Sequence, residues 1–377
     1  MSAHSTAAEA TSLLDLIRPE VRALRAYRVD TQVDEAAKLD QNESPFDLPD
    51  EIKVAALDAF RHTEWNRYPP DRPHALVARL AEKLDWPASG LIVGRGSNEL
   101  THTVAMALIS SGTPVVLPHP MFALYQSVVR LYGGEVVPVD PQPDFSHAAT
   151  DVIAAMRASR APLAVVCSPN NPTGHAFSYA ELTAMADAAP GFLLIDEAYV
   201  EFLEGSTALD LLRERPNVLV MRTFSKAMGL AGLRLGYLAA HPDVIAEFEK
   251  PRLPFLVDRF SEAVGLAMLD HEDVVRQRVG TLVDERDRLM TRLAPRPDVE
   301  VIASAANFFL LRTAQEPAVL QEALRQRGIR VRNVSSYPAL SGGPGPSATF
   351  ETGWLRVSVG TPDENSAFLT ELDAVLS

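Results

Sequence analysis

The sequence has few lysines, one cysteine and no long apolar run. Among its 377 residues 35 are basic, and only five of these are lysines while thirty are arginines. No segment approaches the roughly 18 uninterrupted apolar residues that a membrane-spanning helix requires. The N-terminus shows no basic stretch followed by an apolar one, so we do not expect a secretory signal.

The cysteine count and the net charge narrow the class of protein further. Cys167 cannot form an intramolecular disulfide, and the apolar run before it favours a buried structural thiol in a reducing compartment. The formal net charge of −14 argues against a nucleic-acid partner, because phosphate backbones bind to basic faces. A few local arginines can still bind a small anionic substrate. We therefore expect a cytoplasmic protein that binds neither nucleic acid, membrane nor metal.

Apolar runs and amphipathic segments alternate through much of the chain. The runs lie at residues 91–93, 115–117, 136–139, 163–167, 192–195, 218–221 and 236–240. Near-continuous apolar strands separated by helices indicate a mostly parallel sheet with both faces covered. The sequence thus predicts an α/β protein with a large domain over residues 39–255, built on a mostly parallel seven-stranded sheet. A smaller α+β domain follows over residues 256–377, and residues 1–38 form an arm that packs on the small domain or on a partner subunit.

Lys226, in the segment Thr223-Phe224-Ser225-Lys226, is the candidate nucleophile. Arginine stays protonated and cannot form an imine, whereas a desolvated lysine can lose its proton and attack an aldehyde. A chain that uses arginine for most of its cations has kept an amine here. Lys226 is therefore a candidate Schiff-base residue. Pyridoxal phosphate requires such an amine, together with an acid at its pyridine nitrogen, a donor at its phenolic oxygen, a phosphate site and a ring partner.

Polar residues that follow the predicted strands match these requirements, and ligands of parallel sheets bind beyond the carboxyl ends of the strands. Asp196 ends one apolar run, and it can hold the pyridine nitrogen or simply cap the next helix. Tyr199, three residues later, can reach the phenolic oxygen. Asn171 follows another run, and it can donate to the same oxygen or only shape a turn.

A phosphate site is indicated by the segment Gly94-Arg95-Gly96-Ser97-Asn98-Glu99, which follows a strand and opens a helix. Backbone N–H groups and the helix dipole favour an anion there, although Ser97 or Asn98 can equally act as a plain helix cap. A nicotinamide dinucleotide fingerprint requires a glycine where Glu99 stands. Ser225 and Arg234 flank Lys226 and can complete the phosphate site. Phe122 can stack on a ring or belong to the core.

With these residues assembled, the sequence resembles the fold-type I pyridoxal phosphate aminotransferases and, more narrowly, the histidinol-phosphate aminotransferase family. The resemblance extends from about Leu39 to Gly360. The motifs that carry it are Asn42-Glu43-Ser44-Pro45, Asn66-Arg67-Tyr68-Pro69, Asn170-Asn171-Pro172-Thr173-Gly174, Asp196-Glu197-Ala198-Tyr199, Ser225-Lys226 and Leu355-Arg356-Val357-Ser358-Val359-Gly360.

The resemblance implies a role for each cofactor-binding residue. Lys226 forms the Schiff base, Asp196 pairs with the pyridine nitrogen, and Tyr199 and Asn171 reach the phenolic oxygen. Phe122 stacks on the ring, at a position where this family usually has tyrosine, so a hydroxyl is missing there. The residues implied at the phosphate end are Gly96, Ser97, Asn98, Ser225, Arg234 and, from the partner subunit of a homodimer, Tyr68.

The resemblance also implies the substrate contacts. Arg356 matches the position that grips the anionic end of the substrate, and a guanidinium fork suits both a carboxylate and a phosphate. Arg332 is a second anion contact or only a surface ion pair. Tyr27 and Asn42 lie where the N-terminal segment closes over the substrate. The implied reaction is a ping-pong amino transfer between histidinol phosphate and 2-oxoglutarate, giving imidazole-acetol phosphate and glutamate in histidine biosynthesis.

Three other functions share the same cofactor residues. The main alternative is an aromatic or broad-specificity amino-acid aminotransferase on the same scaffold. A pyridoxal phosphate-dependent decarboxylase and a non-catalytic cofactor-binding module are the others. Only the substrate pocket separates the enzymes, and its shape cannot be read from one sequence.

Overall fold

The computed structural model describes residues 13–24, 26, 36–205, 207–342 and 350–377. The predicted contact of Tyr27 lies outside these residues. The strands are β1 (Ala37–Leu39), β2 (Leu91–Gly94), β3 (Pro114–Pro118), β4 (Glu135–Val139), β5 (Leu163–Cys167), β6 (Phe192–Asp196), β7 (Val218–Thr223), β8 (Gly236–Ala239), β9 (Val299–Ile302), β10 (Phe308–Thr313), β11 (Ile329–Asn333) and β12 (Leu355–Ser358).

Seven of these strands form one large sheet in the order β2-β8-β7-β6-β5-β3-β4. β8 runs antiparallel to both of its neighbours, and the other adjacent pairs are parallel. Each of the seven apolar runs forms one of these strands, and β5 is buried along its whole length because helices cover both faces. The prediction of a mostly parallel seven-stranded sheet is confirmed.

A second sheet has the order β1-β11-β12-β10-β9. β1 pairs with β11 in parallel, whereas the other pairs are antiparallel. The sequence did not predict β1, which has only three residues and joins the sheet through distant Ile329. This strand ties the segment before residue 40 to the small sheet.

Helices cover both sheets. They are Pro19–Arg22, Asp50–Arg61, His74–Leu84, Ser97–Leu108, Ala123–Leu131, Ala149–Ser159, Tyr179–Ala188, Pro242–Glu249, Arg259–Leu269, Glu272–Leu293, Pro317–Gln326 and Pro362–Leu376, with short 3-10 turns at Ala88–Gly90, Val200–Phe202, Ala208–Arg213 and Ala231–Leu233. Within the described ranges, no helix combines the length and the apolar character needed to cross a membrane.

The two sheets have separate hydrophobic cores, and the chain passes between them more than once. Leu39 belongs to the core of the small sheet. Helix Arg259–Leu269 packs on helix Asp50–Arg61 and contributes Val264 and Met268 to the core of the large sheet. The domain boundaries at residues 39 and 255 stay predictions.

Candidate functional site

The candidate site lies at the carboxyl ends of β5, β6 and β7. These strands are parallel neighbours. Cys167 and Asp196, the last residues of β5 and β6, pair with each other, and Asp196 pairs with Met221, two residues before the end of β7. The residues that follow each strand therefore emerge side by side at one edge of the sheet. Asn171, Asp196 and Lys226 reach this edge from the three strands.

Lys226 has an unusually acidic ammonium group for a lysine. Its Nζ donates to the backbone oxygen of Gln41 over 2.8 Å and lies 5.8 Å from the centre of the Tyr199 ring. Burial, followed by the positive charge of Arg356, lowers the pKa of Lys226 to about 7. A large share of this amine is therefore unprotonated near neutral pH, as a nucleophilic amine requires.

Asp196 is a buried carboxylate with two fixed donors. Its Oδ2 accepts a hydrogen bond from the Tyr125 hydroxyl over 2.7 Å, and its Oδ1 accepts one from the backbone N–H of Ala198 over 3.0 Å. Burial raises the pKa of Asp196, while the Tyr125 bond, the Ala198 bond and the charge of Lys226 act in the opposite direction. These two donors therefore fix the orientation of the carboxylate at the end of β6.

Tyr199 is held by two amides. Its hydroxyl accepts from Asn42 Nδ2 over 3.0 Å and from Asn171 Nδ2 over 3.3 Å. Burial raises the pKa of Tyr199 to about 12, so the phenol keeps its proton and can donate a hydrogen bond. Asn42 has a positive φ of 54°, and its backbone N–H donates to Ser358 Oγ over 2.8 Å. The N-terminal segment, Tyr199 and the small sheet thus meet in one network.

Arg356 is buried with an incomplete set of partners. Its Nη1 donates to Asn171 Oδ1 and its Nη2 donates to the backbone oxygen of Asp40, both over 2.6 Å. Its Nε is also buried, and it makes no hydrogen bond within the described part of the chain. Arg332 lies directly opposite Arg356 on the neighbouring strand. Two guanidinium groups here make a local positive field in an acidic protein.

Gly96 and Arg234 lie together at the start of helix Ser97–Leu108, where the sequence predicts a phosphate site. Gly96 precedes helix Ser97–Leu108 at a positive φ of 78°, and no side chain caps this helix. A Cβ atom at Gly96 would lie 2.7 Å from Arg234 Nη2, so only glycine lets the arginine approach the helix N-terminus. Arg234 Nη1 donates to Ala231 O over 3.0 Å and lies 3.4 Å from Ser225 Oγ. Free backbone N–H groups beside a guanidinium suit a phosphate.

Other predicted residues are placed less centrally. Ser97 is half-buried and Asn98 is exposed at the same helix start. Phe122 is half-buried directly before helix Ala123–Leu131, and its ring meets the Tyr125 ring edge-on at 6.5 Å. Tyr68 is 80% exposed and stacks on Phe255 at 4.9 Å. The Tyr68 hydroxyl makes no hydrogen bond to any residue that the structure describes.

Sequence reasoning missed several residues that shape the site. Tyr125 donates to Asp196, and Ser358 accepts from the backbone N–H of Asn42. The backbone oxygen of Gln41 accepts from Lys226, and that of Asp40 accepts from Arg356. Backbone contacts leave no residue-type signal. Tyr125 had a weak one, because it lies one helical turn after Phe122.

The site fits pyridoxal phosphate by three observations of this structure. An amine with a lowered pKa lies beside a buried carboxylate, a buried guanidinium nitrogen has no partner among the described residues, and an uncapped helix start faces Arg234. These groups match the aldehyde, the pyridine nitrogen, an anionic substrate end and the phosphate.

Comparisons with known proteins show the family of this chain. The family model described as aminotransferase class I and II matches residues 34–372. Histidinol-phosphate aminotransferase of Chlorobaculum tepidum is 36% identical over 354 residues, which cover 94% of this chain and 98% of the relative. Histidinol-phosphate aminotransferase of Chlorobaculum parvum is 37% identical over 354 residues. These residues cover 94% of this chain and 96% of that relative.

A solved structure gives the same result for the fold. The crystal structure of histidinol-phosphate aminotransferase from Sinorhizobium meliloti in complex with pyridoxal-5'-phosphate matches with a TM-score of 0.83 at 25% identity. The match covers 96% of this chain and 97% of that one. The fold-type I prediction and the family resemblance are thereby confirmed.

Proposed function

The chain belongs to the class I and II aminotransferases and, within them, to the histidinol-phosphate aminotransferase family, and we propose that it interconverts histidinol phosphate and imidazole-acetol phosphate. The partner pair is 2-oxoglutarate and glutamate, which places the enzyme in histidine biosynthesis. The observation that carries the proposal is the pair of facing arginines, Arg332 and Arg356, of which Arg356 lies near enough to Lys226 to lower the pKa of that lysine.

The cofactor is pyridoxal 5'-phosphate. When bound, it supplies an electron sink that stabilises negative charge developing on the substrate carbon next to the amine. Lys226 holds its aldehyde carbon, Asp196 its pyridine nitrogen, and Tyr199 with Asn171 its phenolic oxygen. Phe122 contacts the ring face. The phosphate is held by Gly96, Ser97, Asn98, Ser225 and Arg234.

Lys226 moves the proton in the proposed mechanism. Once displaced by the substrate amine, its Nζ would take the proton from the substrate carbon as a general base and deliver it, as a general acid, to the carbon of the cofactor that carried the aldehyde. A pKa of about 7 suits both directions, because the amine neither holds its proton too tightly nor gives it up too readily. The carbonyl of Gln41, 2.8 Å from Nζ, gives the displaced amine a defined resting position.

Asp196 and Tyr199 would each meet one polar atom of the cofactor in a defined protonation state. An ionised Asp196 keeps a proton on the pyridine nitrogen, and the two donors that it accepts from favour that ionised form. Tyr199 remains a phenol because its pKa is about 12, so it donates to the phenolic oxygen. Its amide partners Asn42 and Asn171 set the direction of the hydroxyl.

Arg356 and Arg332 bind the anionic ends of both substrates in turn. The Nε of Arg356 has no partner within the described part of the chain, so it is available to an anion. A guanidinium fork accepts the carboxylate of glutamate and the phosphate of histidinol phosphate with similar geometry. The second charge at Arg332 favours the phosphate, which carries more negative charge than a carboxylate. Asn42 and Tyr27 are proposed to close over the bound substrate.

The active form is proposed to be a cytoplasmic homodimer. An aromatic surface, which we define as the stacked pair Tyr68 and Phe255, is exposed, with Tyr68 at 80% and Phe255 at 42%. Exposed apolar groups in such a cluster are typical of protein interfaces. A second copy that covers this surface can bring its Tyr68 hydroxyl to the cofactor phosphate of the first. The single buried cysteine is compatible with the cytoplasm.

A substrate panel tests the proposed function. The purified protein is loaded with pyridoxal phosphate, and kcat/KM is measured for histidinol phosphate and for phenylalanine with 2-oxoglutarate as acceptor. We expect histidinol phosphate to be preferred by about 100-fold or more, because the phosphate gains a charge-assisted contact that phenylalanine cannot make. A preference for phenylalanine would instead support an aromatic aminotransferase.

Two further measurements separate the remaining alternatives. Release of CO₂ from an amino-acid phosphate would indicate a decarboxylase. The fold allows this alternative, because the structure of L-threonine-O-3-phosphate decarboxylase from Porphyromonas gingivalis matches with a TM-score of 0.76 at 22% identity. That match covers 90% of this chain and 99% of the decarboxylase chain. A protein that binds the cofactor but turns over no amino donor would be a binding module.

A further inference from the structure

Tyr125 contacts Asp196 but is not among the residues assigned to the cofactor or the substrate. Its side chain is 2% exposed, and its hydroxyl donates to Asp196 Oδ2 over 2.7 Å. It lies in helix Ala123–Leu131, and its ring packs in the core on one face of the large sheet. Its other polar neighbours are the hydroxyl of Thr101 and the sulfur of Met221, a weak acceptor at 3.8 Å.

We propose that Tyr125 is a positioning residue, which fixes the orientation and the ionised state of Asp196 so that the carboxylate can hold the pyridine nitrogen of pyridoxal phosphate. This inference rests on the proposed function, because it assigns Asp196 to that nitrogen. Tyr125 itself touches neither the cofactor nor the substrate and acts only through Asp196.

The hydrogen-bond inventory of Asp196 supports this role. A carboxylate buried away from water is costly unless donors surround it, and within the described residues Asp196 accepts only from Tyr125 and from Ala198. Tyr125 therefore supplies the one side-chain donor. An ionised carboxylate is purely an acceptor, so a phenol aimed at it favours the charged form over the protonated one.

The environment gives this donor more influence than it would have in water. Burial raises the pKa of Asp196, and the hydrogen bond from Tyr125 is the largest influence that opposes the rise. The Tyr125 hydroxyl is itself deeply buried, and its own pKa is raised well above the usual value by burial and by the charge of Asp196. The phenol therefore stays a donor over the whole range of pH in which the enzyme works.

A simpler explanation is that any buried tyrosine finds some acceptor for its hydroxyl. Two features argue for more. The acceptor is a carboxylate at the carboxyl end of the central strand β6, where ligands bind, and not a nearby backbone oxygen. The ring also meets Phe122 edge-on at 6.5 Å, so one helix start orients both the ring partner and the acid.

The Tyr125→Phe variant tests the proposal with cofactor binding as the readout. The dissociation constant of pyridoxal phosphate is measured by equilibrium dialysis of the holoenzyme between pH 5 and 8. We expect binding at neutral pH to weaken about 10- to 100-fold, as for other lost hydrogen bonds to a charged group. Asp196 should also take up its proton at a higher pH, so cofactor loss on acidification should begin at a higher pH than in the wild type.

Tyr132→Phe is the matched control. It removes the same hydroxyl at the end of the same helix, where Tyr132 Oη lies 3.5 Å from His102 Nδ1 and outside the site. We expect wild-type cofactor binding and an unchanged acid limit. An equal loss in both variants would show that Tyr125 acts only on the stability of the helix.

A double-mutant cycle separates positioning from packing. If Tyr125 acts through Asp196, then Tyr125→Phe should have little effect on cofactor binding in an Asp196→Asn background. Equal losses in both backgrounds would overturn the proposal.

A wild-type protein that binds no pyridoxal phosphate would overturn this inference together with the proposed function. A preference for phenylalanine over histidinol phosphate would overturn the proposed function alone and leave this inference intact.

Tyr125→His provides a second variant that keeps a donor at this position. It should retain the cofactor better than Tyr125→Phe at neutral pH, although a phenyl ring fills the tyrosine cavity more fully. The reverse order would mean that packing decides and would overturn the proposal. If Tyr125→Phe does not fold, the double-mutant cycle is run with Tyr125→His in its place, and equal losses of cofactor binding in the wild-type and Asp196→Asn backgrounds would overturn the proposal.

Discussion

Arg332 and Arg356 lie directly opposite each other on the antiparallel strands β11 and β12. Like charges in directly opposed positions destabilise a sheet. The side chain of Arg332 makes no ion pair or hydrogen bond to any described residue, and Arg356 is buried with an Nε that has no partner among them. The small sheet thus keeps a repulsive pair at the edge of the candidate site, and an anionic substrate would neutralise it.

The first prediction concerns Arg332→Gln, which removes half of this repulsive pair. We expect the free energy of unfolding of the ligand-free protein to rise by up to about 1 kcal/mol, because the opposed charge is gone. The KM for histidinol phosphate should rise about tenfold or more, because a charge-assisted contact to the phosphate is lost. Urea unfolding and steady-state kinetics measure the two effects.

Arg327→Gln is the control for this change, since Arg327 is an exposed arginine of the same domain that pairs with Glu371 over 3.3 Å. It should leave the KM unchanged and shift stability by less than about 0.5 kcal/mol. If Arg332→Gln lowers stability and spares the KM for both substrates, Arg332 is a structural residue and not an anion contact.

The second prediction follows from the pKa of about 7 at Lys226. Burial lowers this pKa from its usual 10.5, so the amine is protonated and unreactive below about pH 7 and free above it. The rate at which the apoprotein captures pyridoxal phosphate should therefore rise as the pH increases through about 7 and then level off. Stopped-flow absorbance gives this profile.

Glu43 offers a way to move that midpoint. The negative charge of Glu43 raises the pKa of Lys226, against the effects of burial and of Arg356. The Glu43→Gln variant should therefore shift the midpoint of the capture profile to lower pH.

Lys226→Ala should capture no cofactor covalently. After borohydride reduction of the wild type, the added mass should lie on the peptide spanning residues 223–234. Mass on another peptide would contradict the assignment of Lys226.

How much of the fold and of the candidate site could be predicted from the sequence depended on the kind of signal. The seven strands of the large sheet are apolar runs, and the residues after them carry chemistry, so Lys226 and Asp196 could be found from local pattern alone. β1 could not be found, because three residues carry no periodicity and their partner Ile329 is far away in the chain. Tyr125 could not be found either, because a tyrosine at helical spacing indicates core until its contact with Asp196 is seen.

The third prediction tests the phosphate site through Gly96→Ala. A Cβ there lies 2.7 Å from Arg234 Nη2, and the positive φ of 78° disfavours a side chain. The arginine must move away from the helix start, so pyridoxal phosphate should bind about 10-fold or more weakly. Binding of pyridoxal, which lacks the phosphate, should change much less. Equal losses for the two compounds would place the damage elsewhere in the site.

Gly280→Ala is the matched glycine control. Gly280 lies within helix Glu272–Leu293, and a Cβ added there meets no atom within 4 Å. Alanine in a helix interior should raise the free energy of unfolding by up to about 1 kcal/mol. Cofactor binding should stay at the wild-type level.

The fourth prediction concerns the homodimer and uses complementation between two defective chains. Each proposed site combines Lys226 of one subunit with Tyr68 of the other, and Tyr68 is 80% exposed on the aromatic surface. A Lys226→Ala protein and a Tyr68→Ala protein should each have low activity. After the two are mixed and allowed to exchange subunits, every hybrid dimer contains one site with both residues intact and one with neither. Because half of the dimers are then hybrids, activity should return to about a quarter of the wild-type value.

Mass spectrometry shows whether the mixture contains hybrid dimers. If it does, and activity remains at the average of the two separate variants, Tyr68 serves its own subunit.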